Sequence, residues 1–289
     1  APLKVVIDGG YGTAGRVLEP VLSGLPIEMA PCHFDEDPHN PFLGRLFPCN
    51  ALAASVRAEM QKARADFGAA FDFDGERIAF FDERGRVLPD DAAAGLIASE
   101  LLARAPGSSI TCDLRATASL RARIEREGGK ALAAPVGRQP LGQHFRRNNS
   151  IYGVDLGGLH FFRDFFQFSS PVLALLLFSA YVSRERRPVS DLTADLTQFV
   201  RSGELTLSTP SPEVAQGVLD RVKQEYQGAE RELIDGVTVR QADWWFNLRQ
   251  KGQTAELLLN VEGRRAMDER RGRQSVERLV ARLLADAAV

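Results

Sequence analysis

Cysteine is scarce in this chain, which has three among its 289 residues. They are Cys32, Cys49 and Cys112, and none of them belongs to a CxxC pair. A small, odd number without paired spacing argues against a disulfide framework and against a structural zinc site. This usage fits a reducing compartment, and we expect a cytoplasmic protein.

An excess of charge of one sign is also lacking, since 36 Lys and Arg against 38 Asp and Glu give a formal net charge of −2. This balance gives no attraction toward nucleic acid or a membrane surface, and we expect neither as a partner. The longest apolar run, 172–182, is too short to span a bilayer. No basic-then-apolar signal segment opens the chain. We therefore expect a soluble globular protein of two or three domains.

Strand and helix patterns alternate through the first two thirds of the chain. The first block has predicted strands at 4–8, 26–31, 67–73 and 78–81, and predicted helices at 15–25, 51–65 and 90–105. After Pro106–Gly107 the plan repeats, with strands at 109–114, 130–135 and 150–155 and helices at 118–127 and 171–182. This alternation predicts parallel sheets covered by helices on both faces.

The last third of the chain has a different pattern. It contains predicted helices at 217–226 and 274–287, a hairpin over 237–241 and 244–249, and a strand at 256–263. Strands clustered between two helices indicate an α+β domain. The predicted fold is therefore two doubly wound α/β domains, 1–106 and 107–200, followed by a smaller α+β domain, 201–289.

The segment 69–88 is the most informative part of the chain. Asp72, Asp74 and Glu76 lie at every second position between two apolar strands. In an extended loop such residues point the same way, so the three carboxylates could converge on a hard cation such as Mg²⁺. The alternative is an acidic, solvated hairpin loop. An exposed loop rarely carries phenylalanines between its acids, as Phe71 and Phe73 do here.

Two other motifs favour an ordinary structural interpretation. The residues 10–15, GYGTAG, match the GxGxxG dinucleotide pattern between a strand and a helix. Asp8, however, would place a negative charge where a pyrophosphate approaches, so we predict a tight turn whose glycines permit positive φ. Thr117 and Ser119 are similar to a phosphorylatable serine loop but lack a following His-Asn-Pro. We predict that they form the N-cap of a helix.

The order of these motifs resembles one family, the α-D-phosphohexomutases, which includes phosphomannomutases and phosphoglucomutases. The segments that carry the resemblance are 3–15, 71–78, 113–115 with 135–138, 152–165, and 235–263. The first is similar to the opening of the family's second domain, and the second to its Mg²⁺ loop, DGDxDR. The third is similar to a strand and Gly-His loop, the fourth to the sugar loop GExSGH, and the fifth to the last domain with its phosphate loop RxSNTEP.

The resemblance implies a phosphotransferase of the isomerase class, in which a phosphoserine donates to a hexose phosphate and Mg²⁺ neutralises developing charge. It implies metal ligands at Asp72, Asp74 and Glu76, catalytic side chains at Arg77 and Arg115, and substrate-binding side chains at Arg138, Asp155, His160, Arg249 and Lys251. We expect Mg²⁺ to bind weakly, because phosphoserine would normally complete its coordination shell. A phosphorylated hexose is the expected partner.

The metal and sugar loops depart from the family's pattern. Glu76 stands where Asp is usual, and Phe73 stands where glycine is usual. Glu is one methylene longer, and Mg²⁺ tolerates poor octahedral geometry badly. In the sugar loop His160 matches, while the usual Glu and Ser are replaced in an alignment without gaps. A shift of one residue would let Asp155 substitute for the Glu.

Further departures concern phosphate binding and proton transfer. Arg138 stands where His is usual, and Arg115 where Lys is usual. A guanidinium hardly deprotonates, so Arg115 is a poor replacement if a proton must move. Arg249 matches the phosphate loop, but its Ser-Asn-Thr reads Lys-Gly-Gln at 251–253. No segment matches the family's first domain, whose TASHNP-type loop carries the phosphoserine.

Three functions remain open from the sequence. The favoured one is a catalytically impaired homologue that keeps the fold and binds phosphosugars or acts in regulation. The second is part of an active Mg²⁺-dependent mutase whose serine domain lies before Ala1 or on a partner chain. The third is a structural or interaction domain of a larger protein. Missing hydroxyl donors in both ligand loops favour the first, and we expect the chain alone not to interconvert hexose phosphates.

Overall fold

The structure is a computed structural model that describes residues 2–287. Its first sheet has the strand order β2-β1-β3-β4. The strands are β1 (Leu3–Asp8), β2 (Ile27–Cys32), β3 (Phe67–Phe71) and β4 (Ile78–Phe81), and the helices of this segment are α1 (Ala14–Leu22), α2 (Asn50–Ala63) and α3 (Asp90–Arg104). β1 pairs in parallel with β2 and β3, as predicted, whereas β4 runs antiparallel to β3. A six-residue link permits only this direction, since a parallel pair needs a crossover of a dozen or more residues.

The second sheet is separate and has the order β6-β5-β7-β8. Its strands are β5 (Ser109–Asp113), β6 (Lys130–Ala134), β7 (Tyr152–Asp155) and β8 (Leu159–Phe162), with helices α4 (Ala118–Arg126), α5 (Arg138–Arg147), α6 (Pro171–Glu185) and α7 (Val189–Leu192). β5 and β7 are parallel, and β8 is antiparallel to β7. The prediction of wholly parallel sheets is therefore wrong for β4 and β8, which form one edge of each sheet. Sequence analysis also missed α5, whose polar first turn includes Pro140, and the short strand β8.

One hydrophobic core serves both sheets. It includes Phe67 and Phe80 of the first sheet and Tyr152 of the second, all at most 1% exposed. Phe178 of α6 stacks on Phe80 with ring centroids 4.2 Å apart and lies 5.1 Å from the Phe67 ring. Residues 2–132 and 137–197 accordingly form one compact unit, the first unit. The domain boundary at residue 106 remains a prediction.

The second unit consists of residues 133–136 and 198–287. Its sheet has the order β10-β11-β12-β13-β9, and every neighbouring pair is antiparallel. The elements are β9 (Val200–Ser208), α8 (Pro212–Glu225), β10 (Arg231–Glu232), β11 (Val237–Arg240), β12 (Trp244–Gln250), β13 (Glu256–Gly263) and α9 (Ala266–Ala287). The predicted hairpin and α+β plan are confirmed, while β9 was missed and both helices begin earlier than predicted. Within residues 2–287, none of the helices has the length and apolar composition needed to cross a membrane.

Candidate functional site

The acidic loop 72–77 joins β3 to β4 as a tight turn. Asp72 Oδ1 accepts hydrogen bonds from the backbone N–H groups of Glu76, at 2.8 Å, and Arg77, at 3.0 Å. Burial raises the pKa of Asp72, although these backbone donors oppose the effect. The loop is thus folded around its first carboxylate. It is not extended, so residues 72, 74 and 76 do not share one direction.

The predicted metal ligands are not gathered around one point in this conformation. Among residues 2–287 there is no group of three His, Cys, Asp or Glu side chains placed to hold a metal ion. Glu76 Oε2 instead accepts from Arg138 Nη1 at 2.5 Å. Asp74 is exposed. The present donor set does not fit Mg²⁺, because Glu76 must first leave Arg138. The assignment of Asp72, Asp74 and Glu76 stays a prediction.

A buried arginine–carboxylate cluster lies at the carboxyl ends of β5 and β7. Arg115 Nη2 is 2.5 Å from Asp113 Oδ2 and 2.9 Å from Asp155 Oδ1. Burial alone would raise the pKa of Asp113, but the Arg115 guanidinium holds it below its ordinary value. Burial and the Asp113 charge raise the pKa of Asp155 to about 6, and Arg115 offsets this only in part. The Arg115 guanidinium therefore pairs with two carboxylates whose pKa values are shifted in opposite directions.

The segment 156–158 connects this cluster to Ile78, the residue that follows the acidic loop. The Ile78 N–H donates to the Gly158 carbonyl at 3.1 Å, and the Leu156 N–H donates to Asp113 Oδ2 at 2.9 Å. The Arg138–Glu76 pair joins the acidic loop to the first residue of α5. We call this group the edge cluster: Asp72, Glu76, Arg77, Asp113, Arg115, Arg138 and Asp155. All seven follow or end β3, β5, β6 or β7, and the carboxyl ends of α/β strands are where such sheets bind ligands.

His160 lies apart from the edge cluster. Asp155 pairs with Leu159 across the β7–β8 hairpin, and Val154 pairs with His160. Alternation along the strand therefore puts Asp155 and His160 on opposite faces. His160 is 1% exposed, its Nδ1 lies 2.6 Å from the Tyr152 hydroxyl, and burial lowers its pKa to about 3. The geometry gives no support to His160 as a sugar ligand, which stays a prediction.

The two predicted phosphate-binding residues of the second unit have carboxylate partners. Arg249 is 4% exposed, forms an ion pair with Glu204, and lies 3.9 Å from Asp235 Oδ2. Lys251 Nζ is 2.7 Å from Glu256 Oε2 at the surface. Any phosphate would have to compete with these carboxylates. Their role in phosphate binding stays a prediction.

The glycine motif at 10–15 forms a strand-to-helix turn against the acidic loop. Gly10 has a φ of 62°, as this turn requires. Asp8 is fully buried, and its carboxylate accepts from the Gly10 N–H at 2.8 Å and contacts His33 Nδ1 at 2.7 Å. A Cβ on Gly12 would lie 1.9 Å from the Phe73 carbonyl oxygen. The glycines therefore serve the turn and a close backbone approach.

Thr117 lies at the start of α4. The Thr117 hydroxyl accepts from the Leu120 N–H at 3.1 Å, which confirms the predicted N-cap. Sequence reasoning missed Asp113 and His33. An acid that ends a buried strand two residues before an arginine was a usable signal for Asp113. His33 carried no such signal, because only the fold brings it beside Asp8.

Two sheets with a charged cluster at the carboxyl ends of their strands define an α/β protein with a candidate ligand site at that edge. The phosphoglucomutase/phosphomannomutase family model for α/β/α domain II matches residues 1–85, and the model for domain III matches residues 89–199. The chain belongs to the α-D-phosphohexomutase family. This confirms the family that the sequence motifs indicated.

Individual relatives agree with this assignment. A phosphomannomutase of Salmonella typhimurium is 32% identical over 273 residues, which cover 91% of this chain and 59% of that protein. A phosphohexose mutase of Xanthomonas campestris is 31% identical over 268 residues, which cover 91% of this chain and 59% of that protein. A solved phosphoglucomutase/phosphomannomutase family protein of Burkholderia thailandensis is 25% identical with a TM-score of 0.84, covering 98% of this chain and 61% of that one. This chain thus spans about three fifths of the length of these relatives.

Proposed function

We propose that the chain binds a phosphorylated hexose at the edge cluster and does not complete the mutase reaction by itself. The observation that carries the proposal is that three arginines at the carboxyl ends of these strands each lie beside a carboxylate: Arg115 beside Asp155, Arg138 beside Glu76 and Arg77 beside Asp72. Family membership supports a phosphosugar as the ligand. An N-acetylphosphoglucosamine mutase of Aspergillus fumigatus, similar in fold, has been solved with GlcNAc-6P and magnesium.

The arginines have different roles in this proposal. Arg138 is about half exposed and has an exposed carboxylate partner, so it can exchange Glu76 for a phosphate. Arg77 is also about half exposed, and its Nε lies 4.0 Å from Asp72 Oδ2. Arg115 is largely buried between two carboxylates, where it holds Asp155 in place. Asp155 then accepts hydrogen bonds from sugar hydroxyls.

Phosphoryl transfer by this chain lacks two components. The sequence contains no TASHNP loop, and the similar segment at Thr117 caps α4 while Ser119 is 9% exposed. At position 115 the guanidinium stays protonated near neutral pH and cannot act as a general acid or base. The predicted Mg²⁺ ligands Asp72, Asp74 and Glu76 do not fit the ion while Glu76 is paired with Arg138. We therefore assign the binding of a phosphorylated hexose, and not phosphoryl transfer, to the edge cluster.

A second candidate is an active mutase in which another segment or chain supplies the phosphoserine domain. The chain spans 59% of the length of the relatives it matches, and the matched family models are those of domains II and III. This candidate makes the same prediction for sugar-phosphate binding. It differs in predicting turnover once a serine domain is added.

Titration calorimetry with glucose 1-phosphate and mannose 1-phosphate tests the proposed binding. We expect modest affinity that weakens as salt rises, since charges attract phosphate but discriminate little between epimers. Arg138→Ala should weaken binding about tenfold, as expected for loss of a hydrogen bond to a charged group. Arg187→Ala, an exposed arginine outside the cluster, is the matched control. Absence of binding, or equal affinity for the two variants, would contradict the proposal.

A further inference from the structure

A concave site within the first unit overlaps the acidic-loop side of the edge cluster. A cavity of about 270 Å³ separates the acidic loop from the segment 40–47. Its apolar walls include Phe42, Phe47 and Phe73. The volume is near the lower end of the ~300–1,000 Å³ that ligand pockets occupy, which suits a ligand of one ring. The proposed phosphate site uses none of these aromatic side chains.

Asn40 supplies an unsatisfied donor in this cavity. It lines the cavity and is 5% exposed. Its Oδ1 accepts from the Phe42 N–H at 2.9 Å, which fixes the orientation of the side-chain amide. Its Nδ2 is buried and has no hydrogen-bond partner among residues 2–287. A buried N–H without an acceptor is costly, so the site calls for an oxygen from outside the chain.

The charges around the cavity do not favour an anion. Arg45 and Arg77 line it together with the carboxylates of Asp72, Asp74 and Glu76. The arginines do not outnumber the carboxylates, so there is no net positive charge to draw a phosphate. Carboxylates can instead accept hydrogen bonds from neutral hydroxyl groups. Aromatic walls, an amide donor and carboxylate acceptors together match a polyol with one apolar face.

Phe73 gives a reason for this chain's departure from the family's acidic loop. It stands where the family has glycine, and it is half-buried at the wall of the cavity. Its carbonyl oxygen packs against Gly12, where a Cβ would come within 1.9 Å. The close packing holds the backbone that presents the ring. The substitution therefore adds an aromatic surface at a defined place.

We propose that this cavity binds an unphosphorylated pyranose ring. The apolar C–H face of the ring lies against the phenylalanines, and a ring or hydroxyl oxygen accepts from Asn40 Nδ2. Hydroxyl groups on the opposite edge donate to Asp72 or Asp74. The cavity shares Asp72, Glu76 and Arg77 with the edge cluster, whereas Asn40 and the phenylalanines belong to the cavity alone.

An NMR titration of the ¹⁵N-labelled full chain tests the proposal. The probes are methyl α-D-mannopyranoside and methyl α-D-glucopyranoside, and the Asn40 side-chain amide signal is assigned by its loss in Asn40→Ser. We expect saturable shifts of this signal, which inorganic phosphate does not reverse. Asn40→Ser keeps an acceptor for the Phe42 N–H, so the turn at 40–42 should persist. We expect this variant to bind the pyranosides about tenfold more weakly, roughly the effect of one hydrogen bond.

Phe73→Ala provides an independent variant, with Phe166→Ala as its control. Phe166 is 83% exposed and is outside the cavity lining. We expect weaker pyranoside binding, by about fivefold or more, only for Phe73→Ala. Absence of saturable shifts, displacement by phosphate, or equal binding by Asn40→Ser, Phe73→Ala and wild type would overturn the proposal. Failure of glucose 1-phosphate to bind would leave these readouts unaffected, so the two proposals fail separately.

Discussion

At the residue scale, Glu76 is both a predicted Mg²⁺ ligand and the ion-pair partner of Arg138. It is paired with Arg138, and both side chains are about half exposed. Glu76→Gln should change the free energy of unfolding by at most about 0.5 kcal/mol, as for other exposed ion pairs. The same change frees Arg138, so glucose 1-phosphate should bind several-fold more tightly in calorimetry. Asp164→Asn, at an exposed ion pair with Arg163, is the control. Weaker sugar-phosphate binding by Glu76→Gln would show that this carboxylate acts directly on the ligand or its metal.

His160 gives a pH-dependent prediction. Burial lowers its folded-state pKa to about 3 from 6.5, so the unfolded chain binds the proton more tightly. Stability from this group is full above about pH 6.5 and is lost as pH falls toward 3. From pH 6.5 to 5 the wild type should lose about 2 kcal/mol from this source.

Urea unfolding at several pH values measures this loss. His160→Gln should reduce the acid dependence while leaving glucose 1-phosphate affinity unchanged. His39→Gln, at an exposed histidine, should leave the acid dependence as in wild type. An unchanged pH dependence in His160→Gln, or loss of sugar-phosphate binding, would contradict the assignment of His160 to the core.

The sequence identifies residues better than it identifies their partners. The spacing of Asp72, Asp74 and Glu76 locates the acidic loop. It cannot show that Glu76 forms an ion pair with Arg138, which is 62 positions away. His160 matches the sugar-loop motif in sequence, yet hairpin pairing with Val154 places it on the opposite face of the sheet from Asp155. Partner choice depends on which loops the fold brings together, and local patterns do not contain that information.

At the element scale, the turn at 10–15 supports the acidic loop by close backbone packing. A Cβ at Gly12 would meet the Phe73 carbonyl oxygen at 1.9 Å, and neither backbone segment can yield cheaply. Gly12→Ala should therefore lower the free energy of unfolding by about 3 kcal/mol or more. At Gly217, in α8, a Cβ would meet nothing within 4 Å.

Gly217→Ala is consequently the control for Gly12→Ala. It should be neutral or stabilise by up to about 1 kcal/mol, because alanine is the better helix former. Denaturant unfolding of the two variants beside wild type measures both effects. Similar free energies for the two alanine variants would exclude the tight packing described for Gly12.

Long periodic segments were predictable at this scale, whereas short elements were not. Apolar β1 and β3 and helix α3 have the expected periodicity and lie close to the predicted positions. Four-residue β8 is too short to show a period, and the polar start of α5 conceals its helix. The edge strands β4 and β8 run antiparallel because of their short loops, a feature that the strand–helix alternation does not convey.

At the scale of the whole molecule, the first unit should unfold cooperatively although it has two sheets. Phe178 is fully buried and packs on Phe67 and Phe80, in the core that also contains Tyr152 of the second sheet. Phe178→Ala should cost about 3–5 kcal/mol. Hydrogen exchange should then show equal loss of protection in β1 and β3 and in β5 and β7.

Phe166→Ala, at an exposed phenylalanine of the same unit, should leave exchange from these four strands unchanged. Loss of protection confined to one sheet after Phe178→Ala would show that the two sheets unfold separately. It would also favour the predicted boundary at residue 106 as a limit of cooperative folding.

We propose that this chain binds a phosphohexose without converting it. The most direct measurement is a coupled assay of the purified 289-residue chain with glucose 1-phosphate and Mg²⁺, primed with glucose 1,6-bisphosphate. A full-length phosphomannomutase serves as the positive control. We expect no turnover above background at sugar-phosphate concentrations that saturate the chain in calorimetry. Turnover that disappears in Asp72→Ala or Arg115→Ala would contradict it, because the chain would then be an active mutase.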